Sequence, residues 1–408
     1  MSEEVKEKSD KARAAAAKSA PFGNDINLAQ YETCPPEIPV QIAPSEIRHQ
    51  DRRKMLATGI MLDDPSQRSG TFVQFDNRPL HTSVAQEGIE VMATSQALAK
   101  YGWLGDYFWK AVAVDADKYT AHVELNNADG YFIRALPGAK TLFPLQACIY
   151  LSRARLIQDV HNIIIAEEGS ELHIITGCAT AGNEPGLHLG ISEFYIKKGA
   201  KVTFSMIHSW SPEIEVRPRT GAIIEQDGLF LSNYVLMRPV QSIQLNPSAH
   251  CVGENATVRF NSVMVATPGS KIDAGSKAFL NAEGTRTEMI ARAISTGGEI
   301  VSRGYIEGNV ANCKGHLECR GLILGEAGFI HAIPELKGAK AGVDLSHEAA
   351  VGKIAEEEVE YLMARGLTRD EATATIIRGF LKVDIEGLPP MLNEELKKAV
   401  QASEQDIF

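Results

Sequence analysis

Residues 167–174 read EEGSELHI and residues 197–204 read KKGAKVTF, two versions of one phrase in which a glycine (Gly169, Gly199) precedes alternating polar and apolar residues. The glycine permits a backbone with positive φ, and the alternation is that of a strand with one buried face. The phrase returns as QDGLFLSN at Gly228, PGSKIDAG at Gly269, GGEIVSRG at Gly298 and KGAKAGVD at Gly338, at intervals of 30, 29, 41, 29 and 40 residues. Such self-similarity, with no helical periodicity in between, argues for stacked coils of strand over a doubly wound sheet. Hairpin signals are sparse: Asn-Gly is absent, and Asp-Gly occurs only at Asp129-Gly130 and Asp227-Gly228. The expected fold is therefore mainly β, a parallel β-helix (solenoid) core over residues 120–345.

The flanks read differently. Residues 1–45 combine a charged, Ala-rich leader with a proline-rich passage (Pro21, Pro35, Pro36, Pro39, Pro44), expected as a mobile segment and an extended linker or strap. Residues 46–119 read as a small α/β module, with a helix after Ser45 and an aromatic cluster (Tyr101, Trp103, Tyr107, Phe108, Trp109) best explained by core packing. Residues 346–408 read as helical. Ser346 is the expected N-cap before HEAAVGKIAEEEVEYLMARG, Gly366 suits a left-handed helix end, and Thr368 with Glu371 forms a capping box. A third helix is expected over 391–403.

Composition narrows the function. Forty-one basic against 52 acidic residues leave a net charge of −11, which disfavours nucleic acid as a partner. No apolar run approaches the ~20 residues of a membrane span, and an acidic amino terminus without an apolar stretch gives no secretory signal. Six scattered cysteines then read as free thiols in a reducing cytoplasm. P-loop, dinucleotide-binding, nucleophile-elbow, H-E-x-x-H and C-x-x-C motifs are all absent.

Chemistry must come from scattered side chains. Cys178, in IITGCATAG at a strand end, is either a small buried hydrophobe or a nucleophilic, sulfur-accepting thiolate, which would need a lowered pKa or nearby cations; His173 and His188 lie within reach along the sequence, though spacing alone does not place them beside it. Cys313 and Cys319 flank His316, with Glu326, His331, His347 and Glu348 downstream. Such soft and borderline ligands suit iron, zinc or an iron–sulfur cluster. The alternative places Cys319 in the core, His331 on a coil and His347-Glu348 at a helix start, where a carboxylate favours the dipole.

Three stretches carry a resemblance: VHNIIIAEEGSELHIITGCATA, GLHLGISEFYIKKGAKVTFSMIHSWSPE and LSHEAAVGKIAEEEVEYLMARGLTRDEATATIIRGFL. Over about 130–385 the chain resembles the SufB/SufD family of iron–sulfur cluster assembly proteins, and KYGWLGDYFWKAV is similar to the amino-terminal module of its shorter prokaryotic, especially archaeal, members. The resemblance implies a right-handed parallel β-helix with helical flanks, paired as a homo- or heterodimer. Each subunit's carboxy-terminal helices would bind SufC, an ABC-type ATPase, which explains the missing P-loop. Here the docking residues would be Tyr361, Arg365, Gly366, Ile377 and Phe380.

By the same resemblance Cys178 matches the sulfur acceptor, fed by a cysteine desulfurase system. His347 and Glu348 match a suspected ligand position, Cys319 and His331 match further family positions, and with Cys313 from the residue reading they are the candidate ligands of a transient, nascent cluster. Gly328 stands where the family carries a cysteine. The implied role is a non-enzymatic, SufB-like scaffold. A SufD-like partner that dimerises and docks SufC without a cluster is the alternative, and a polysaccharide-cleaving β-helix enzyme is disfavoured by the missing export signal.

Overall fold

The structure, a computed structural model, describes residues 3–324 and 326–381. Its centre is a parallel β-solenoid of about 8 turns. One face is built from Leu145–Leu151, Glu171–Thr180, Lys201–Ser209, Leu229–Leu236, Thr257–Ala266, Arg286–Ser295, Lys314–Ile323 and Asp344–Gly352, each parallel to the next. The other runs from Tyr131–Ala135 through Leu156–Ala166, Gly186–Ile196, Arg219–Ile224, Ser248–Cys251, Lys271–Leu280 and Glu299–Gly308 to Phe329–Gly338. The core is the lumen between them, filled by Leu172, Phe194, Phe204, Phe230, Val258, Ile272, Ile300 and their neighbours.

The repeat has a physical origin at one corner. Glu171, Lys201, Leu229, Thr257, Arg286, Lys314 and Asp344 are successive Cα partners. Two residues before each, and before Lys140 of the first bridge, the chain turns through a left-handed residue. These are Gly138, Gly169, Gly199, Asp227, Asn255, Gly284, Asn312 and Gly342, with φ from +56 to +83°. Only Gly, Asn and Asp adopt this conformation readily. The amides of Gly138, Gly169, Gly199, Asp227 and Asn255 each donate to the next corner's carbonyl at 2.8–3.0 Å. Two of the sequence phrases belong elsewhere: Gly269 and Gly298 introduce strands of the opposite face, hence the 41-residue interval. Gly338 ends a strand, and Gly342 makes that corner.

Six α-helices flank the solenoid among the described residues: α1 (Glu3–Ala15), α2 (His49–Leu56), α3 (Thr94–Lys100), α4 (Lys118–Leu125), α5 (Glu356–Met363) and α6 (Arg369–Leu381). The expected mobile amino terminus is instead packed. Ala12 and Ala15 are buried with Val123 of α4, and the following chain straps the solenoid, with Phe22 between Lys277 and Arg303.

Residues 46–119 are joined to the first coil rather than forming a module of their own. Gly70–Phe75 pairs in parallel with Leu145–Leu151 and antiparallel with Arg78–Val84, while Ile89–Ala93 pairs antiparallel with Tyr131–Ala135. Together these strands cover the edges of the first coil. The aromatic cluster packs on the outer face, where the buried Glu193 carboxylate accepts from the amides of Trp109, Lys110, Ala111 and Val112 at 2.6–3.1 Å and pairs with His161 at 2.9 Å.

At the other end the helical expectation needs correcting. Ser346, His347 and Glu348 lie within the strand Asp344–Gly352, paired with His316, Leu317 and Glu318, and α5 begins only at Glu356. The open ladder of the preceding coil offers backbone partners that a helix start would leave unused. The capping box at Thr368 and Glu371 is present, and Gly366 has φ +97°. The expected helix over 391–403 lies outside the described residues.

Candidate functional site

Along Glu171–Thr180 the side chains alternate: Ile175 and Ala179 pack outward with Met55 of α2, so Ile174 and Cys178 face the lumen. Ile149, Cys178, His208 and Leu236 are successive Cα partners and stack along the rod. Cys178 is 1% exposed, and burial pushes its thiol pKa well up. The cationic surroundings expected for a thiolate are not there; its neighbours are neutral.

Those neighbours form a polar cluster of which sequence reading named only His188. His208 Nδ1 and Tyr234 Oη lie 3.0 Å apart, and His188 Nδ1 lies 2.9 Å from Gln158 Oε1. The Trp210 ring packs 5.2 Å from His208 and 5.1 Å from His188. Burial holds both imidazoles neutral, lowering the pKa of His188 to about 3 and that of His208 well below the ordinary value. His208 Nε2 is buried without a hydrogen-bond partner. If Tyr234 accepts from Nδ1–H, Nε2 is a bare base on the coil next to the thiol. The signal was available: the 30-residue step from Gly169 to Gly199, applied to Cys178, lands on His208.

Tyr234 also lines an internal cavity of ≈40 Å³ with Phe260, Met289, Ser302 and Cys319. Cys319 is buried in the lumen, its Sγ 3.8 Å from Ser302 Oγ, and burial raises its pKa too. Tyr234 thus touches both His208 and the space beside Cys319. Room for a solvent-sized group lies between the two thiol neighbourhoods.

The remaining candidate ligands are dispersed. Cys313 sits at a corner, with its Sγ 3.1 Å from the Val310 carbonyl. His331 is exposed on the opposite face, paired in register with Val301. His347 is exposed on the last strand and pairs with Leu317, two residues from Cys319. Glu348 is engaged by Arg320 at 3.1 Å, and Arg320 also holds Glu318 at 2.6 Å. Among the described residues no three His, Cys, Asp or Glu side chains converge on one metal position. Gly328 has φ +88°, and a β-carbon there would lie 2.5 Å from the Gly298 carbonyl, so this backbone excludes a cysteine.

Of the docking candidates, Ile377 is buried, not displayed: it packs with Ala374 and Leu381 against Val263, Val265, Ile294 and Leu322, and Phe380 is half-buried beside them. The residues left outside are Tyr361, 58% exposed, and Arg365, which stacks on the Tyr361 ring and donates to its hydroxyl at 2.9 Å. Gly366 forms the left-handed turn between α5 and α6.

Comparison with known proteins agrees with this architecture. Residues 150–380 match the SufBD core domain of the SUF system for FeS cluster assembly. The chain is similar to proteins named iron–sulfur cluster assembly SufBD family protein from three organisms. That of Methanothermobacter thermautotrophicus is 48% identical over 403 residues, 96% of this chain and 97% of the relative. That of Archaeoglobus fulgidus is 50% identical over 358 residues, 88% and 96% of the two chains. A more distant relative, from Staphylococcus epidermidis, is 26% identical over 406 residues, 93% and 84%. No helix among the described residues is long and apolar enough to cross a membrane.

Proposed function

Because this chain belongs to the SufBD family of iron–sulfur cluster assembly proteins, we propose that it is a cytoplasmic scaffold subunit that accepts sulfur at Cys178 and builds a nascent cluster at a subunit interface. A SufC-type ABC ATPase docked on α5–α6 would supply nucleotide hydrolysis, and a second SufB- or SufD-type subunit the rest of the interface. The observation that carries the reading is the stacking of Cys178 on His208 inside a lumen that continues, through Tyr234, towards Cys319.

The chemistry balances without an added oxidant. A donor persulfide, R–S–SH, meets Cys178–SH. Once a partner opens the lumen and relieves the burial of both groups, His208 Nε2 takes the thiol proton, and the thiolate attacks the terminal sulfur. The donor's S–S bond breaks as the new S–S bond forms, and the proton passes to the leaving thiolate, giving R–SH and Cys178–S–SH. Burial keeps the thiol protonated until a partner opens the lumen and protects the persulfide from water. The cluster is cargo, and a transient site needs few, exchangeable ligands. Cys319 and His347, on adjacent coils at the open end, are the best-placed pair, with Glu348, His331 and Cys313 around them.

The test is anaerobic incubation with a cysteine desulfurase and cysteine, followed by mass spectrometry of thiol-trapped peptides. One added sulfur is expected on the Cys178 peptide and none in Cys178→Ser; equal loading of all six thiols would reject the assignment. The second reading is a SufD-like, cluster-free role; among the described residues no three ligands of one chain converge. ATPase binding that persists while iron and sulfide never load would select it.

A further inference from the structure

One cleft is chemically unlike the rest of this acidic protein. It lies where two strands of one solenoid face end, beyond Thr180 and Ser209, and α2 forms its wall. His49, Arg53, Lys54 and Arg238 line it, none of its lining residues is acidic, and its volume is ≈790 Å³. That volume is within the usual range for small-molecule sites.

Three features suit an anion. Arg48, the N-cap of α2, makes no side-chain capping bond, so the first amides of the helix and the positive end of its dipole are left at the cleft beside His49 and Gln50. The Arg53 guanidinium has no ion-pair partner among the described residues and is exposed, whereas Arg48 is paired with Asp51 and Arg52 with Asp63. Third, Lys54 and Arg238 add two further basic side chains to the lining. Two arginines, a lysine, a histidine and the start of α2 line a single concave surface.

We infer that this cleft binds a small phosphoryl-bearing anion, held by Arg53, Arg238 and His49 over the start of α2. An acidic protein surface is the less suitable occupant, because the feature is a concave pocket, not a flat basic face. The strands bearing Cys178 and His208 run into its floor two residues on, at Thr180 and Trp210. Occupancy can therefore bias the coil end that seals the thiol. The inference stands without the sulfur-acceptor reading, since it concerns binding alone.

The experiment is calorimetric titration of the full-length protein, at low salt, with inorganic pyrophosphate and separately with ADP. Saturable binding of at least one is expected, weakened about tenfold or more in Arg53→Glu and in Arg238→Glu, and less in Arg53→Gln. Equal affinity for both probes identifies the phosphoryl group as the recognised unit; tighter ADP binding identifies a nucleotide. Both residues are exposed, and unchanged circular dichroism checks the fold of the variants. Binding unaltered by these substitutions, or no binding of either probe, overturns the inference. Capture of a polyglutamate peptide with neither phosphate compound bound overturns it in favour of a protein-docking surface.

Discussion

Cys178 and His208 are Cα partners on successive coils, and both side chains lie inside the solenoid. The thiol is therefore paired with an imidazole by the coil period, not by proximity along the chain. If His208 is the proton acceptor, His208→Phe should slow persulfide formation on Cys178 by roughly 10²-fold, as loss of a general base does, while Cys178→Ser abolishes it. Comparing initial labelling rates of the two variants checks this; an unchanged rate in His208→Phe removes the imidazole from the mechanism.

Burial also orders the reactivity of the thiols. Cys34 is half-buried and the other five are buried. Brief iodoacetamide treatment of the native protein should label Cys34 first and leave Cys178 unmodified, whereas denatured protein labels throughout. Rapid native labelling of Cys178 would contradict the sealed lumen.

Acid should destabilise the fold through its buried imidazoles. His188 titrates near pH 3 when folded and near 6.5 when unfolded, so its contribution is present above pH 6.5 and is lost as the pH falls towards 3. The slope is up to about 1.4 kcal/mol per pH unit for each such group. His208 is shifted in the same direction. Urea midpoints measured from pH 7 to pH 4.5 should fall, and fall less steeply in His188→Gln.

Placing a cysteine at position 328 should not supply a ligand. The positive φ and the 2.5 Å approach to the Gly298 carbonyl predict a loss of about 1–3 kcal/mol in Gly328→Cys, read by urea denaturation. A variant as stable as the parent would show that this corner yields.

On α5–α6, stability and the proposed docking are expected to separate by residue. Ile377→Ala should cost about 2–4 kcal/mol through the cavity it leaves. Tyr361→Ala should change stability by no more than about 0.5 kcal/mol yet weaken ATPase binding, measured by calorimetry with the partner. Full affinity in the Tyr361 variant would move the docking surface elsewhere.

The solenoid was legible because Gly169 and Gly199 mark real corners and Gly228 follows the corner at Asp227, but Asn255 and Asn312 fill the same left-handed position and hide two repeats from a glycine search. His347 and Glu348 read as a helix start because local propensity cannot see the unpaired ladder of Lys314–Ile323, which draws them into a strand. Cys178 was visible as a thiol after an apolar run. Its partner His208 was not, nor were Tyr234 and Trp210 beside that imidazole, because they come together only through coil stacking and carry no local motif.

The aligned left-handed corners make length a quantised property of this molecule. Excising the residues between two equivalent corners, such as those from Asn255 up to Gly284, would return every later strand to the same face and phase. Adding one residue between the same corners would invert the inside and outside of the strand that follows it. The distance from the thiol to the last described coil can thus change only in whole coils, each ~4.8 Å long.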